Sequence, residues 1–389
     1  MVNAPPHPHT GEVTLSLMAQ RVLRDVEVVA RAGLDIDTFF AEAVSSVERA
    51  VPHVAACVGT FDPSTLLLTG SHKYGDLRGK DDHDHEWGVI EFGWSEDTAY
   101  TELVRRGVTA IGLHASTEGR PMSSQRMAEF MSPHFGYADE ARVVMRDRGE
   151  SWGGMALFRA EGEAPFAEDE ITLLGELSQS LSVGARAGLL VALASEAPAQ
   201  PVGPAVIIVG TDDTVQQLSA GAQDRLDDLM ASESISRPDG VVSSLVAAAR
   251  RFAAGRTDRP PRCRVRSRSG MWLVLHATPL SPRGEASGDV VVTIDEARPP
   301  EIVPLVVAAF DLTPRERSVT QLVLQGVDTK EIASTLHLSP YTVQDHLKSV
   351  FGKADVSSRR ELIARIYFDQ YVPRLGTDVG PTGWFASPA

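Results

Sequence analysis

The residues with the clearest chemical potential lie in one short segment near the C-terminus, SPYTVQDHLKSVFG, residues 339–352. Apolar residues recur there at the spacing of a single helix face, namely Val343, Leu347 and Val350. The opposite face then carries side chains that can form hydrogen bonds and have no apolar role, namely Tyr341, Gln344, Asp345 and Lys348. A helix divided in this way fits the major groove of double-stranded DNA. By chemistry alone, Lys348 suits guanine, Gln344 suits adenine and Asp345 suits the amino group of cytosine.

Four short helices that can position this face are predicted between Leu312 and Ile366. Each begins with a capping side chain or a proline in the first turn: Thr313 with Glu316, Asp328 with Glu331, Ser339 with Pro340, and Ser358 with Glu361. Gly326 and Gly352 are predicted to end the first and third helices. The motif at residues 329–348 then has the dimensions of a helix-turn-helix, because Ile332, Ala333 and Leu336 face inward and Leu338 fills the turn.

The segment from Leu312 to Ile366 closely resembles the C-terminal domain of LuxR-type (FixJ/NarL-type) bacterial transcription regulators. The strings L-T-P-R-E-R, K-E-I-A, L-S-P-x-T-V-x-x-H and R-x-E-L stand there in order. The resemblance implies that Gln344, Asp345 and Lys348 approach base edges, and it places Thr342, His346 and Lys353 near phosphates or at the edge of the core. The full predicted DNA-binding set is Thr329, Lys330, Ser339, Tyr341, Thr342, Gln344, Asp345, His346, Lys348 and Lys353.

The sequence departs from the family pattern at two places. The family usually has lysine or a neutral residue where Gln344 and Asp345 stand, so phosphate attraction is weaker here. The turn position commonly held by glycine is His337, and a left-handed backbone there would cost on the order of 1 kcal/mol. In the family, the outer face of the fourth helix pairs with a second subunit, so the resemblance implies a homodimer.

The charge distribution supports the expectation of a dimer. The net charge is −15, yet nine acidic and nine basic residues balance from Asp311 to the end, so the whole excess lies in residues 1–310. Because a neutral domain is a poor polyanion binder alone, dimerisation would offset this by doubling the base and phosphate contacts. Two cysteines and no apolar run of about 18 residues indicate a cytoplasmic protein without a disulfide framework or membrane span.

The predicted fold is multidomain, with two α+β sensor-type domains followed by an all-α, four-helix DNA-binding domain. Residues 34–198 resemble a GAF domain, on a late strand pair ending in W-G-x-x-x-L and then F-x-x-x-E before a long apolar helix. Residues 205–298 resemble a PAS domain, on a strand, small helices and three more strands, with G-x-W-x-x-x-x-x-x-P-L at 270–280. The remaining boundaries are a disordered start and helix at 1–33, a linker at 199–204, the DNA-binding domain at 306–371 and a flexible tail at 375–389.

Three further patterns leave alternatives open. The N-terminal helix, Val13 to Ala32, packs on its own domain or forms a dimer. Arginines crowd residues 250–268, and those at 262, 264, 266 and 268 alternate as on one strand face. That face is either an exposed, aggregation-resistant edge or a docking surface for the acidic N-terminal domain or an anion. Asp212-Asp213 follows a buried strand as in a receiver domain, but the third acid and later lysine are not placed to complete one.

The segment DDHDHE, Asp81 to Glu86, brings His83, His85 and Glu86 close together, with His72 upstream. A metal needs convergent ligands held by a second shell, which alternate residues on a charged loop seldom supply. We therefore interpret the segment as a solvated loop and predict no metal or other cofactor, with a metal site as the alternative.

Together these features predict a cytoplasmic, sequence-specific transcription regulator that is not an enzyme. Its expected partners are double-stranded DNA, a second copy of the chain, a small-molecule ligand in the GAF-like or PAS-like domain, and RNA polymerase. Two alternatives stay open: N-terminal domains that only dimerise or bind a protein, and an enzyme with an appended DNA-binding domain. No Gly-rich phosphate loop, H-E-x-x-H or nucleophile elbow occurs in the sequence to support the last.

Overall fold

The structure is a computed structural model, and it describes residues 16–191, 205–229, 239–267, 271–280 and 288–367. Several predictions fall outside these residues: the disordered start at 1–12, Val13 and Leu15 of the first helix, the linker at 199–204, Arg268, Gly270 and the tail at 375–389. None of the helices among the described residues is both long enough and apolar enough to cross a membrane.

The first α+β domain is built on a five-stranded antiparallel sheet in the order β2-β1-β5-β4-β3. Its strands are β1 (Ala55–Phe61), β2 (Leu68–Gly75), β3 (Ala110–Gly112), β4 (Tyr137–Asp147) and β5 (Glu150–Ala160). The predicted late strand pair is confirmed as the hairpin β4-β5, and β1 and β2 form a second hairpin. The tight turn between β4 and β5 requires positive φ at Arg148 and Gly149, which explains the glycine there. The short strand β3 was not predicted.

Three long helices cover one face of this sheet: α1 (Leu17–Ala30), α2 (Ile36–Glu48) and α7 (Glu168–Leu190). Their apolar faces form one cluster with sheet residues such as Val58 and Met155. Val22 and Val26 of α1 are fully buried in that cluster. The N-terminal helix therefore packs on its own domain, which confirms the first of the two interpretations.

Short helices cover the other face of the sheet. They are α3 (Asp84–Gly93), α4 (Tyr100–Arg106), α5 (Leu113–Ser116), a 3-10 turn (Pro121–Ser123), a π-helix (Met127–Met131) and α6 (Ser132–Phe135). The prediction of a solvated loop at 81–86 is wrong, because α3 begins within it. Asp84 is buried there against Lys73 of β2, and this ion pair anchors the start of α3.

The second α+β domain repeats the topology of the first, with the strand order β7-β6-β10-β9-β8. Its elements are β6 (Ala205–Val209), β7 (Val215–Leu218), α8 (Ala222–Asp228), α9 (Asp239–Ala253), β8 (Arg262–Arg266), β9 (Trp272–Pro279) and β10 (Val290–Glu296). The predicted order of one strand, small helices and three more strands is present. The strand β7 was not predicted, and it pairs antiparallel with β6 across the Asp212-Asp213 turn. That hairpin agrees with the rejection of a receiver domain, whose sheet is parallel.

The two α+β domains share a buried core, which joins Phe61 and Leu68 of the first to Val242 and Leu245 of the second. Helix α3 crosses α9 so closely that a Cβ on Gly88 would lie 2.1 Å from the Ser243 Oγ. The crossing therefore requires glycine at position 88.

The prediction that the arginines of β8 form an exposed edge is wrong for Arg264, the middle residue of the strand. The Arg264 side chain is buried and forms an ion pair with Asp62 of the first domain, with 2.6 Å between Nη2 and Oδ1. Arg262 binds Glu301, and Arg266 donates to the carbonyls of Leu189 and Val191. The contacts of Arg264 and Arg266 support the alternative, docking onto the N-terminal domain, whereas Arg262 contacts α10 (Pro299–Ala309).

The C-terminal part is all helical, and the predicted fold class of two α+β domains followed by a helical domain is confirmed. The helices are α10 (Pro299–Ala309), α11 (Pro314–Leu324), α12 (Thr329–Thr335), α13 (Pro340–Lys353) and α14 (Arg359–Tyr367). The four predicted helices correspond to α11–α14, whereas α10 was not predicted.

The predicted stop at Gly326 is confirmed, since this glycine follows α11 with φ of +81°. The predicted stop at Gly352 is wrong, because α13 runs through Gly352 to Lys353. Asp355 takes the left-handed conformation after that helix instead, with φ of +51°. Aspartate adopts this region more readily than most residues. His337 is left-handed as well, with φ of +52°, in the turn where the sequence replaces the usual glycine.

Candidate DNA interface and ligand cavity

The start of α13 is fixed by local chemistry. The Ser339 Oγ accepts the backbone N–H of Thr342 at 3.0 Å, and the two hydroxyls lie 2.8 Å apart. Pro340 occupies the first helical position, where a missing N–H costs nothing. Because the cap is made by short side chains, the first turn of α13 stays open to solvent.

The two faces of α13 are divided as the spacing predicts. Val343, Leu347 and Val350 are buried in the helical core. Tyr341, Gln344, Asp345 and Lys348 are exposed, and 78% of Tyr341 is accessible. Gln344 makes one long contact, from Nε2 to the Thr329 Oγ1 at 3.4 Å, beside the exposed Lys330. The outer face of α13 and the start of α12 thus form one polar surface.

Lys353 lies at the edge of the core, which is one of the two places that the resemblance allowed. Its Nζ contacts the Glu316 Oε2 at 2.7 Å and the Asp311 carbonyl at 3.1 Å. The Ser349 hydroxyl donates to the other Glu316 oxygen at 2.6 Å. Glu316 also completes the predicted capping box with Thr313. One carboxylate therefore joins the start of α11 to the end of α13, and it fixes the angle at which α13 is presented.

Glu316 gives this arrangement a defined dependence on pH. Burial alone would raise the pKa of Glu316, but Lys353, Ser349 and Thr313 outweigh it and lower the pKa from 4.5 to about 2. A carboxylate with a depressed pKa stabilises the fold above its unfolded pKa, and that stability is lost as the pH falls through the folded pKa. We expect Glu316→Gln to lower the unfolding free energy near neutral pH. The deficit should shrink from pH 4.5 down to about 2.

Urea unfolding followed by circular dichroism over this pH range measures the effect. Glu331→Gln is the matched control, because Glu331 is an exposed carboxylate in the first turn of the next helix. A deficit for Glu316→Gln that stays constant with pH would contradict the assignment.

The helical domain is docked on the rest of the chain by charged contacts around Asp311. Arg148, in the β4-β5 turn, donates to the Asp311 carbonyl at 2.8 Å. Arg186 of α7 lies 3.0 Å from the Asp311 carboxylate. Arg317 of α11 lies 2.9 Å from Glu150. The β4-β5 hairpin and α7 therefore hold the first turn of the domain that carries α13.

Helix α10 connects all three parts of the structure. Its buried residues Ile302 and Leu305 belong to the same apolar cluster as Trp272 of the second sheet and Trp152 of the first. That cluster continues into the core of α11–α14. One packed apolar cluster therefore joins the two α+β domains to the helical domain.

A cavity lies between the first sheet and the short helices that cover it. Its volume is about 40 Å³, room for a few water-sized groups and well below the ~300–1,000 Å³ of small-molecule sites. The start of α9 closes it from the second domain. Its lining residues are Cys57, Leu68, Ser71, Lys73, Leu77, His83, Asp84, Trp87, Phe130, Met131, Phe135, Phe158, Gly240 and Val241.

The polar end of the cavity is formed by Lys73 and its partners. The Lys73 Nζ is bonded to Asp84 and, at 2.9 Å, to Asp81. Burial works against the charged ammonium, but Asp84 and Asp81 outweigh it and raise the pKa of Lys73. Burial also raises the pKa of the Cys57 thiol, which stays protonated. The cavity thus offers aromatic walls and a charged end, and sequence reasoning did not locate it.

A buried network of four charges supports the helices that bound this cavity. On β4, Glu140 and Arg142 lie side by side, with 2.8 Å between Oε1 and Nε. Arg142 also binds Glu91 of α3 at 2.9 Å. Arg126, immediately before the π-helix, binds Glu140 at 2.6 Å. The network therefore ties both α3 and the π-helix to the sheet. Its signal in the sequence is the pair of opposite charges at Glu140 and Arg142, which are two residues apart in a strand and so lie on one face.

Comparison with known proteins identifies the helical domain. Residues 311–366 match the family described as bacterial regulatory proteins, luxR family. A putative HTH-type transcriptional regulator of Aeromonas salmonicida is 49% identical over 51 residues, which are 13% of this chain and 26% of that protein. A putative HTH-type transcriptional regulator of Mycobacterium bovis is 48% identical over 52 residues, 13% of this chain and 6% of that protein. Residues 311–366 are therefore a luxR-family helix-turn-helix domain, and the chain spans about a quarter or less of these two relatives.

Solved structures are similar to the N-terminal half at low levels. The GAF domain of a phosphoenolpyruvate-protein phosphotransferase from Coxiella burnetii has 16% identity and a TM-score of 0.28, covering 43% of this chain and 93% of that one. The VqsR LBD domain from Pseudomonas aeruginosa has 12% identity and a TM-score of 0.30, covering 45% of this chain and 98% of that one. TM-scores at this level do not establish a common fold.

Proposed function

We propose that the chain is a sequence-specific DNA-binding transcription regulator that acts in the cytoplasm as a homodimer. One observation carries the proposal. The luxR-family domain at 311–366 leaves Tyr341, Gln344, Asp345 and Lys348 exposed on a capped helix whose other face is buried. These groups are free to bond with base edges in the major groove. The balanced charge of the domain supports dimerisation, because two copies double the contacts with DNA.

The predicted DNA-binding residues have distinct roles in this proposal. Gln344, Asp345 and Lys348 contact bases, and Thr329, Lys330, Ser339, Tyr341 and Thr342 surround them at the polar surface. Half-buried His346 lies between that surface and the core. Lys353 forms an ion pair with Glu316 and so orients α13. Its contribution to DNA binding is this orientation of the helix.

We expect Lys348→Ala to weaken binding to the DNA site that the wild-type chain prefers by about 5–150-fold. A bidentate lysine–guanine contact is worth about 1–3 kcal/mol, and about 1.4 kcal/mol corresponds to tenfold in affinity. Fluorescence anisotropy with labelled duplexes measures the change at fixed salt, and single base-pair substitutions identify the base whose preference is relaxed. Arg21→Ala, which removes one exposed positive charge from α1, is the charge-matched control. Equal losses in the two variants, or none in Lys348→Ala, would contradict base contact by Lys348.

The α+β domains are proposed to control this DNA-binding domain through a small molecule that binds at this cavity when the short helices covering it move outward to enlarge it. Such a molecule would present an apolar or aromatic body to Trp87, Phe130 and Phe135 and a polar group to the Lys73 end. Binding shifts the equilibrium only if the molecule prefers one arrangement of the domains. The contacts of Asp311 and the α10 cluster provide a continuous packed connection. No catalytic step is assigned to the cavity, since Lys73 is held by two carboxylates and the Cys57 thiol stays protonated.

A thermal-shift screen of the full chain followed by DNA titration tests this control. A molecule that raises the melting temperature is expected to change DNA affinity about 5–150-fold, the usual range of allosteric coupling. Ser71→Leu, which fills the cavity from β2, should abolish the shift and keep the ligand-free DNA affinity. Binding of the molecule with unchanged DNA affinity would favour the alternative in which the N-terminal domains only dimerise or bind a protein.

A further inference from the structure

Two histidines and a glutamate converge at the protein surface, and one of them, His83, also lines the cavity. His83 and Glu86 belong to the start of α3, and His134 belongs to α6. The His83 Nδ1 lies 3.6 Å from the Glu86 Oε1, and the His134 Nε2 lies 3.5 Å from the Glu86 Oε2. One ligand atom from each residue falls within 4.8 Å of the others. The fold thus joins His83 and Glu86, from the acidic segment DDHDHE, to a histidine about fifty residues further along the chain.

The separations fit a common metal ion better than direct hydrogen bonds. Both nitrogen–oxygen distances exceed the ordinary range of about 2.7–3.2 Å. For a tetrahedral ion with bonds near 2.0–2.1 Å, neighbouring ligand atoms lie about 3.3 Å apart. The Nδ1 of His83 is buried and has no hydrogen-bond partner among the described residues. An unpartnered buried nitrogen that faces a carboxylate is the arrangement that a bound cation would satisfy.

The two histidines are held by structured backbone and aromatic packing, whereas Glu86 is exposed on the first turn of α3. The His83 carbonyl accepts the N–H of Trp87 at 3.0 Å and so begins α3. The His83 ring packs edge-on against Phe130 and Phe135. The His134 ring lies 4.0 Å from the His83 ring, between centroids, and also contacts Phe130. His134 follows the π-helix Met127–Met131, a feature that often marks functional sites.

We propose that His83, Glu86 and His134 bind a divalent transition-metal ion of the Zn²⁺ class. Two imidazoles and one carboxylate are a ligand set that proteins use for such ions, with the fourth position left to water or to a bound molecule. His83 also lines the cavity, whereas Glu86 and His134 are exposed beside it. A molecule in the cavity with a carboxylate or another anionic group can supply the fourth ligand. The proposed metal site does not depend on the proposed function in transcription.

The experiment uses the full chain without an affinity tag, first stripped of metal by a chelator. Zn²⁺ is titrated by calorimetry, and Co²⁺ is titrated by visible absorption, which reports the coordination geometry. We expect one ion per chain, with low-symmetry Co²⁺ bands. His134→Ala and Glu86→Gln are each expected to lower the affinity at least tenfold, because even the loss of an outer-shell partner costs about 10–100-fold.

His85→Ala is the matched control, because it removes another imidazole from the same turn of α3 and should leave the affinity unchanged. Glu86→Gln preserves the shape of the side chain, and circular dichroism in chelator shows whether each variant is folded. The proposal is overturned if the wild-type chain binds no ion. It is also overturned if all the variants bind as the wild type does, or if His85→Ala loses as much affinity as His134→Ala.

Discussion

Arg264→Ala is expected to lower the unfolding free energy by about 3–5 kcal/mol, because it leaves a buried carboxylate without its partner. Asp62, in the β1-β2 turn, is 2% exposed. Arg264 binds both of its oxygens, with Nε at 2.7 Å and Nη2 at 2.6 Å, and donates its backbone N–H at 3.0 Å. Burial alone would raise the pKa of Asp62, but Arg264 outweighs it and lowers that pKa. The pair joins the two α+β domains, so its loss should separate their unfolding transitions.

Guanidinium unfolding monitored by circular dichroism and tryptophan fluorescence measures this effect. Arg256→Ala removes an exposed arginine of the same domain and should change stability by less than about 0.5 kcal/mol. The double variant Asp62→Ala with Arg264→Ala should cost less than the sum of the single changes, since neither charge is then left unpaired. An Arg264→Ala protein with wild-type stability and one unfolding transition would show that the pair does not join the domains.

Arg142→Met is expected to have a comparable effect, about 3–5 kcal/mol, inside the first domain. Arg142 is 1% exposed and donates to Glu140, Glu91 and the Thr98 carbonyl. Its guanidinium also lies 4.5 Å from the centre of the Tyr100 ring. Methionine fills much of the space but leaves two buried glutamates with Arg126 alone. Because the network ties α3 and the π-helix to the sheet, the change should destabilise these two helices more than the helical domain.

Hydrogen exchange measured by mass spectrometry tests this prediction, because it reports the protection of each segment of the chain separately. Protection should fall in residues 84–93 and 127–135 and stay unchanged in residues 314–353. Arg105→Ala, which breaks an exposed pair with Glu102, should cost less than about 1 kcal/mol. Equal destabilisation by Arg105→Ala and Arg142→Met, or faster exchange throughout the chain, would contradict the assigned role of the network.

The helical domain was predictable because its signals are local. Thr313, Asp328 and Ser339 cap helices that begin one residue later. The burial of Val343 and Leu347 follows directly from their spacing. The polar face of α13 was predicted for the same reason. Helix α10 escaped prediction because its prolines resembled stop signals, although Pro299 and Pro300 occupy the first turn, where the missing N–H groups are unpaired in any case.

The features that were missed depend on contacts between distant parts of the chain. Arg264 resembled an exposed edge residue because its partner Asp62 lies 202 residues away. The start of α3 resembled a charged loop because Lys73, which neutralises Asp84, stands on another element. His134 carries no sequence link to His83 and Glu86, so the cluster exists only in the folded chain. The sequence shows which of these residues are charged, but their partners become known only from the folded structure.

Selection of bound duplexes from random DNA by the full chain measures whether α13 reads base sequence. We expect enrichment of one sequence in two half-sites related by two-fold symmetry, because a dimer places α13 in successive major grooves. A chain that carries Gln344→Ala and Lys348→Ala should give no such enrichment in a parallel selection, because the base-contacting side chains are gone. Failure of the unaltered, folded chain to enrich any sequence would contradict the assignment of α13 as a DNA-reading helix.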